Sequence, residues 1–396
     1  MLVQHYKDML SSKSVIRTLS EWATKRGEVI GYENVFDYSL GNPSVAVPQA
    51  FTDSLIDMLR NMDSTKLHGY SPSLGLPSVK AAVAKSLAQR YGLPYQAQHI
   101  FMTSGAAGAV AHAVRLIAKQ GEEIITVAPF FPEYRQYVEA AGPKLVVLPP
   151  DETSFQIPID ALEQAINEKT AAVLINTPNN PSGVVYTQDT LQKLANCLRE
   201  KSKEIGHVIY LISDEPYREI LFDQAKPLCP CAFYESSLMC YSYSKSLSIP
   251  GGRIGYLAVH PHCEDAEIMI QMCGQISRGI GHNCPTSLMQ LGIAEALDLT
   301  ADLSVYETNR NLLYEELLSL GFTCVKPGGT FYLFPKALEE DANAFCQKAL
   351  AYDLVLVPGD SFGAPGYFRI AYCVETDKVK RSLPALRAFV KEQYPG

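Results

Sequence analysis

Lys245 closes the stretch Ser242-Tyr243-Ser244-Lys245, directly after the apolar run 238–241, and Arg253 follows eight positions later behind Pro250-Gly251-Gly252. A primary amine held at a strand end among hydroxyls can form a Schiff base with a carbonyl compound. Serine hydroxyls and a guanidinium supply the charge-assisted, often bidentate, bonds that hold a phosphate. The combination is what a carbonyl cofactor bearing a phosphate requires. Alone, the tetrapeptide is weak, since a lysine after a buried strand is commonly a solvated strand end.

The same residues spell S-x-x-K, the nucleophile signature of penicillin-binding proteins and serine β-lactamases. Those enzymes also carry K-T-G and S-D-N, and neither string occurs in the chain. Other candidate residues are found where apolar runs end. Thr103-Ser104-Gly105-Ala106-Ala107-Gly108 places small residues at a helix start, where free N–H groups and the dipole receive phosphate. Pro129-Phe130-Phe131-Pro132-Glu133-Tyr134 offers rings on which a planar group stacks. Asn176-Thr177-Pro178-Asn179-Asn180-Pro181-Ser182-Gly183 is a stiff turn that aims amides instead of burying them. Asp214-Glu215-Pro216-Tyr217 puts a carboxylate where only a cation, such as a protonated pyridine nitrogen, offsets its desolvation. Tyr217 would then donate to the ring oxygen. Each has a plainer reading, as a tight turn, core aromatics or a helix cap, but five strand ends agree on one ligand, a phosphorylated pyridine aldehyde.

The elements that must position these residues follow from periodicity. Short apolar runs at 99–102, 124–127, 144–148, 171–175, 208–212, 238–241 and 254–259 alternate with helical patterns such as 106–119 and 188–201. That alternation predicts an α/β domain with a mostly parallel central sheet covered by helices. In such sheets ligands lie beyond the carboxyl ends of the strands. After residue 285 the pattern predicts long helices, strands at 323–325, 331–334, 354–357 and 368–373, and a final helix near 376–393, a second and smaller α/β layer. The expected division is 45–285 for a large cofactor-binding domain and 1–44 with 286–396 for a small one, with a cleft between them.

With 396 residues, 47% hydrophobic and 19% charged, the chain suits an ordinary globular protein with a large core. A net charge of −8 and the lack of a basic cluster argue against a nucleic-acid partner. Residues 1–8 lack a secretory signal pattern, and no apolar run is long enough to span a bilayer, so a cytoplasmic location is expected. Ten cysteines without framework spacing read as reduced core thiols. Cys229-Pro230-Cys231 and His260-Pro261-His262-Cys263-Glu264 have no matching second half at zinc-site spacing, so no metal is expected.

On these motifs the chain resembles the class I/II pyridoxal-phosphate (PLP)-dependent aminotransferases of fold type I, and within them the aspartate aminotransferase group. The likeness runs from Gly41-Asn42-Pro43 to Phe368-Arg369-Ile370-Ala371 in the family's order and spacing. It implies that Lys245 forms the Schiff base with pyridoxal 5'-phosphate, that Asp214 pairs with the pyridine nitrogen, and that Asn180 and Tyr217 bond the ring oxygen. Phe131 takes the stacking position, and Gly105, Ala106, Ala107, Ser242, Ser244 and Arg253 surround the phosphate. Arg369 resembles the clamp for the substrate α-carboxylate, with Gly41 beside it. Tyr70 resembles the tyrosine that reaches the neighbouring subunit's phosphate, which implies a homodimer with shared sites. One departure is that Ala106 and Ala107 stand where many relatives carry a hydroxyl or a lysine; Ser244 and Tyr70 are expected to compensate.

The implied reaction moves an amino group between an L-amino acid and a 2-oxo acid in a ping-pong cycle. Arg278 precedes Asn283 by five, like the arginine that binds a distal carboxylate in one branch of the family, which favours aspartate and glutamate. Aromatic or neutral amino acids, and carbon–sulfur β-elimination on the same cofactor, remain as alternatives. A cofactor-sensing DNA-binding regulator would need an extra domain ahead of Gly41, and no helix-turn-helix pattern occurs there.

Overall fold

The computed structural model of the chain describes residues 7, 14–223, 225, 226 and 228–395. Apart from residue 7, the stretch 1–8 expected to lack a secretory signal lies outside the described residues. After a short strand β1 (Phe36–Asp37), seven apolar runs become β2 (Ile100–Thr103), β3 (Glu123–Val127), β4 (Lys144–Leu148), β5 (Thr170–Asn176), β6 (Tyr210–Asp214), β7 (Ser237–Ser242) and β8 (Gly255–Val259). They form one sheet in the order β2-β8-β7-β6-β5-β3-β4. All pairings are parallel except those of β8, which runs antiparallel to β7 and β2. Every residue of β5 and of β7 is buried, as expected of strands covered on both faces.

Register brings the chemistry to one edge of this sheet. Asn176 lies opposite Asp214, Ser242 opposite Gly255, and Gly255 opposite Thr103. Helix Gly105–Ile117 starts directly beyond that edge and lays Ala109, Val110, Ala113 and Val114, all fully buried, over β7 and β8. The 206–209 turn explains why β6 starts two residues later than its apolar run: Gly206 adopts φ +80° to end helix Gln188–Ile205, and the Ile209 N–H goes to the Ser202 Oγ at 3.0 Å.

The carboxyl-terminal part builds a second core. Helices Ser304–Ser319, Ala342–Ala349 and Thr376–Gln393 pack with β9 (Tyr332–Leu333), β10 (Leu354–Val355), β11 (Val357–Pro358) and β12 (Phe368–Ala371). Two strand expectations need correction. Residues 323–325 form no strand: one backbone bond, Lys336 N–H to Thr323 O at 2.9 Å, is made before Pro327 and two glycines turn the chain. The run 354–357 is divided between two sheets, with Leu354–Val355 parallel to β1 and Val357–Pro358 antiparallel to β12. Among the described residues no helix is long and apolar enough to cross a membrane, and all ten cysteines are unpaired.

Candidate active site

A cavity of about 350 Å³ opens at the strand ends, between the main sheet and the carboxyl-terminal core. Gly41, Ala106, Ala107, Phe131, Asn180, Asp214, Tyr217, Ser242, Ser244, Lys245, Arg253 and Arg369 all line it. Gly105 does not itself line it; it opens helix Gly105–Ile117 beside the lining Arg253. Tyr70 and Arg278 do not line the cavity. Tyr70 is fully exposed, at 104% of its reference area, and Arg278 is exposed near the end of helix Ala266–Gly279.

Lys245 sits in the one-turn helix Tyr243–Ser246, which is capped by the Ser242 Oγ accepting the Ser244 N–H at 3.2 Å. Its Nζ donates to the Gly41 carbonyl at 2.6 Å and lies 5.5 Å from the centre of the Phe331 ring. Burial lowers the amine to about 8; Arg253 and Arg369 add to the shift and Cys373 opposes it. An amine at about 8 carries a useful fraction of its neutral, nucleophilic form near neutrality.

Asp214 ends β6 and is 5% exposed. Its Oδ2 accepts the Tyr134 hydroxyl at 2.5 Å, while its Oδ1 is buried with no partner. Burial pushes the carboxyl up to about 7, with the Tyr134 bond acting in the opposite direction. A buried carboxylate with one free oxygen is a site for a cation.

Across the cavity Arg369 is 2% exposed and has no acidic partner within ion-pair reach among the described residues. Its Nη1 donates to the Asn180 Oδ1 at 3.1 Å and its Nη2 to the Ser39 carbonyl at 2.5 Å, and its Nε has no partner. Tyr332 and Phe362 hold the guanidinium, at 4.8 and 5.0 Å from their ring centres. Burial lowers its pKa below the usual arginine value. A desolvated guanidinium with donors to spare is built to receive an anion in a bidentate manner.

Asn180 is aimed by its own turn. Its N–H goes to the Asn176 Oδ1 at 2.6 Å, while the Asn179 Oδ1 accepts the Ser182 N–H at 3.0 Å and the Ser182 Oγ at 2.8 Å. Tyr217 and Tyr332 join their hydroxyls at 3.0 Å, and burial, with Tyr332 adding, holds the Tyr217 hydroxyl well above 10 and hence protonated.

The opposite wall is suited to phosphate. Ser242 and Ser244 face each other at 2.7 Å between Oγ atoms, and the Arg253 Nη2 donates to the Ser104 carbonyl at 2.9 Å beside the start of helix Gly105–Ile117. No side chain caps that helix start. Gly105 has φ +80°, and a Cβ there would stand 2.8 Å from the Arg253 Nη2. The backbone therefore comes as close to the anion pocket as glycine permits.

Other residues beyond the expected set line or support the site, among them Tyr134, Tyr332 and Arg17. Tyr134 orients Asp214, Tyr332 supports both Tyr217 and Arg369, and Arg17 stands at the cavity mouth with Ser14 and Ile16. The first two fall in stretches already marked as ring-bearing or strand-forming. Arg17 is on helix Val15–Ile30 and has no signal in its local sequence.

A free amine, a carboxylate with an unpartnered oxygen, a hydroxyl-and-guanidinium cradle at a helix start and a seven-stranded, mostly parallel sheet define a fold type I, PLP-dependent enzyme. The profile described as Aminotransferase class I and II matches residues 33–386. The chain is 31% identical over 379 residues to an aspartate aminotransferase of Geobacillus stearothermophilus, covering 90% of this chain and 92% of that protein. It is 28% identical over 383 residues to aromatic-amino-acid aminotransferase 2 of Thermococcus litoralis, covering 92% and 93%. A crystal structure of an aminotransferase from Eubacterium rectale superposes over the whole of both chains, with a TM-score of 0.96 and 44% identity. The chain belongs to the class I and II aminotransferases, and it is a PLP-dependent transaminase.

Proposed function

We propose that this enzyme transfers the amino group of aspartate or glutamate to a 2-oxo acid, with Lys245, Asp214 and Arg369 as the three charged groups that divide the work. The carrying observation is that all three converge on one buried cavity, each with bonding capacity left over. PLP, when bound, supplies a carbonyl for the amino group and a ring that accepts an electron pair.

The chain's residues do the rest. Ser242, Ser244, Arg253 and the N–H groups at Gly105, Ala106 and Ala107 would hold the phosphate, and Phe131 would stack on the ring. Asp214, through its unpartnered Oδ1, would pair with the ring nitrogen, and Asn180 and Tyr217 would donate to the ring oxygen. Arg369 clamps the substrate α-carboxylate beside Gly41. The Lys245 Nζ would take the proton from the substrate Cα and hold it for return during the transfer, a role suited to an amine at about 8. The first product leaves before the second substrate enters, so the kinetics are ping-pong.

Tyr70 and Arg278, outside the cavity of their own chain, serve the site of a second copy. The assembly is then a homodimer with shared sites, and Arg278 reads the distal carboxylate. Residues 45–285 form the large domain, and 1–44 with 286–396 the small one. Ten unpaired cysteines, eight of them buried, support a reducing, cytoplasmic setting; the transaminase family supports a role in amino-acid biosynthesis.

Borohydride reduction of the holoenzyme followed by peptide mass spectrometry tests the anchor: the cofactor mass is expected on the peptide containing Lys245. Lys245→Ala should lose turnover; a label on another lysine, or normal transamination by the variant, overturns the assignment. A panel of amino donors with 2-oxoglutarate and pyruvate tests the substrates. A preference for aromatic donors, or pyruvate and ammonia from cystathionine, would refute the aspartate reading.

A further inference from the structure

Glu215 is adjacent to Asp214 but belongs to a different site. Its N–H goes to the Cys240 carbonyl at 2.8 Å, and its Oε1 accepts the Ser213 hydroxyl at 2.7 Å. Its Oε2 is buried with no hydrogen-bond partner, the residue being 1% exposed. The fold brings Cys229 and Cys231, on either side of Pro230, to this carboxylate: one sulfur from each and a carboxylate oxygen of Glu215 lie within 4.8 Å of one another. Both cysteines are buried, at 3% and 0% exposure. Tyr95, in the same core, has a buried hydroxyl without a partner.

The geometry points to a zinc-type divalent cation held by Cys229, Cys231 and Glu215. Around a tetrahedral zinc, Zn–S bonds of about 2.3 Å and Zn–O bonds of about 2.0 Å set neighbouring ligand atoms roughly 3.3–3.8 Å apart. With its ligand atoms within 4.8 Å of one another, the cluster needs to contract by roughly 1.0–1.5 Å at most to meet this. Two soft sulfurs select zinc over calcium or magnesium.

Charge agrees with geometry. Arg218 lies 3.9 Å from the Glu215 Oε2 and 3.1 Å from Glu219, and Arg90 reaches Glu219 at 3.6 Å. Arg90 also pairs with the exposed Asp298 at 3.3 Å, so the surrounding charges are two arginines and three carboxylates. Two thiolates balance one divalent ion, whose binding displaces the two thiol protons, so loading the ion adds no net charge to these buried ligands. The bound ion would staple the turn at Pro230–Ala232 to the end of β6, beside the carboxylate that faces the cofactor.

The test uses untagged holoenzyme, incubated with zinc under a non-chelating reductant and dialysed into metal-free buffer. Elemental analysis should find about one zinc per chain, falling to a tenth or less in Cys229→Ser/Cys231→Ser and staying in Cys284→Ser. Glu215→Gln should weaken zinc by roughly 100-fold or more, beyond the 10–100-fold typical of an outer-shell partner. Cobalt in place of zinc should give thiolate-ligated tetrahedral d–d bands in the red, where the cofactor does not absorb. Wild-type protein that holds less than about a tenth of an equivalent, retention of zinc by the double variant, or absence of the cobalt bands overturns the proposal. The cobalt spectrum is read on the wild type, so it decides the matter even if the cysteine variants do not fold.

Discussion

Replacing Asp214 by asparagine should make the cofactor-free protein more stable at high pH while removing most of its catalysis. The carboxyl is 5% exposed and burial pushes it up to about 7 from an ordinary 3.8. Ionisation is therefore disfavoured in the folded state. As pH rises above 3.8 the unfolded chain gives up its proton first, and stability is lost until pH passes about 7, where the loss levels off. About three pH units at 1.36 kcal/mol each put the full penalty near 4 kcal/mol, and the part accrued between about pH 5 and about pH 8 near 2–3 kcal/mol. Asparagine has no such dependence. Its amide still accepts from Tyr134, but its NH₂ takes the place of the partnerless Oδ1, a fixed cost of about 1–3 kcal/mol.

Because that cost is the same at every pH, the difference between the two proteins should shift by about 2–3 kcal/mol in favour of asparagine from about pH 5 to about pH 8. Urea unfolding of both apoproteins at equal concentration, followed by the fluorescence of the single tryptophan, Trp22, measures it. In the holoenzyme the cation opposite Oδ1 removes the penalty, and the same substitution should lower kcat by about 10²–10³-fold. Stability curves that stay parallel within about 0.5 kcal/mol would mean that the carboxyl is not held in the desolvated state described here. Undiminished turnover would mean that it does not face the ring nitrogen.

Two other substitutions probe the remaining walls. Arg369→Lys keeps the charge but loses the fork that reaches Asn180 and the Ser39 carbonyl, so kcat/KM for amino acids should fall by at least about 30-fold with cofactor affinity unchanged; a change within threefold would refute the clamp. Gly105→Ala forces a side chain into φ +80°, costing about 1–2 kcal/mol, and sets its Cβ against the Arg253 guanidinium; the PLP dissociation constant should rise by about 10-fold, and an unchanged value would sink the cradle.

Most of the main sheet was legible because parallel strands buried on both faces are written as continuous apolar runs, and six of the seven fall within one residue of their runs at each end. The remaining strand, β6, is shifted by two residues by a local turn. The smaller layer was less legible. Its strands are only two to four residues long, so periodicity has little length to act on, and 354–357 changes sheets within one apolar run. The site was legible where it is local in the chain: the strand-end residues were read one run at a time, and they meet in one cavity. Partnerships across the chain were not. Tyr134 to Asp214, Tyr217 to Tyr332 and Asn180 to Arg369 span 80, 115 and 189 positions, and no local pattern encodes such contacts.

The pair Asp214-Glu215 shows where legibility stops. Successive residues of an extended strand point to opposite faces, so two adjacent acids at a strand end are bound to enter different surroundings. Asp214 lines the cavity, with one oxygen on a tyrosine and the other free for a cation. Glu215 turns the other way, toward two thiols and an arginine. Both are pushed up to about 7, chiefly by burial, so the shift alone cannot say which of them does chemistry on a substrate. What separates them is what lies opposite. Asp214 faces a space shared with Lys245 and Arg369, whereas Glu215 faces Cys229 and Cys231 in the packed core. One strand end thus turns one acid into the cavity and the other toward a sulfur-rich core, and the alternation of the backbone keeps the two apart.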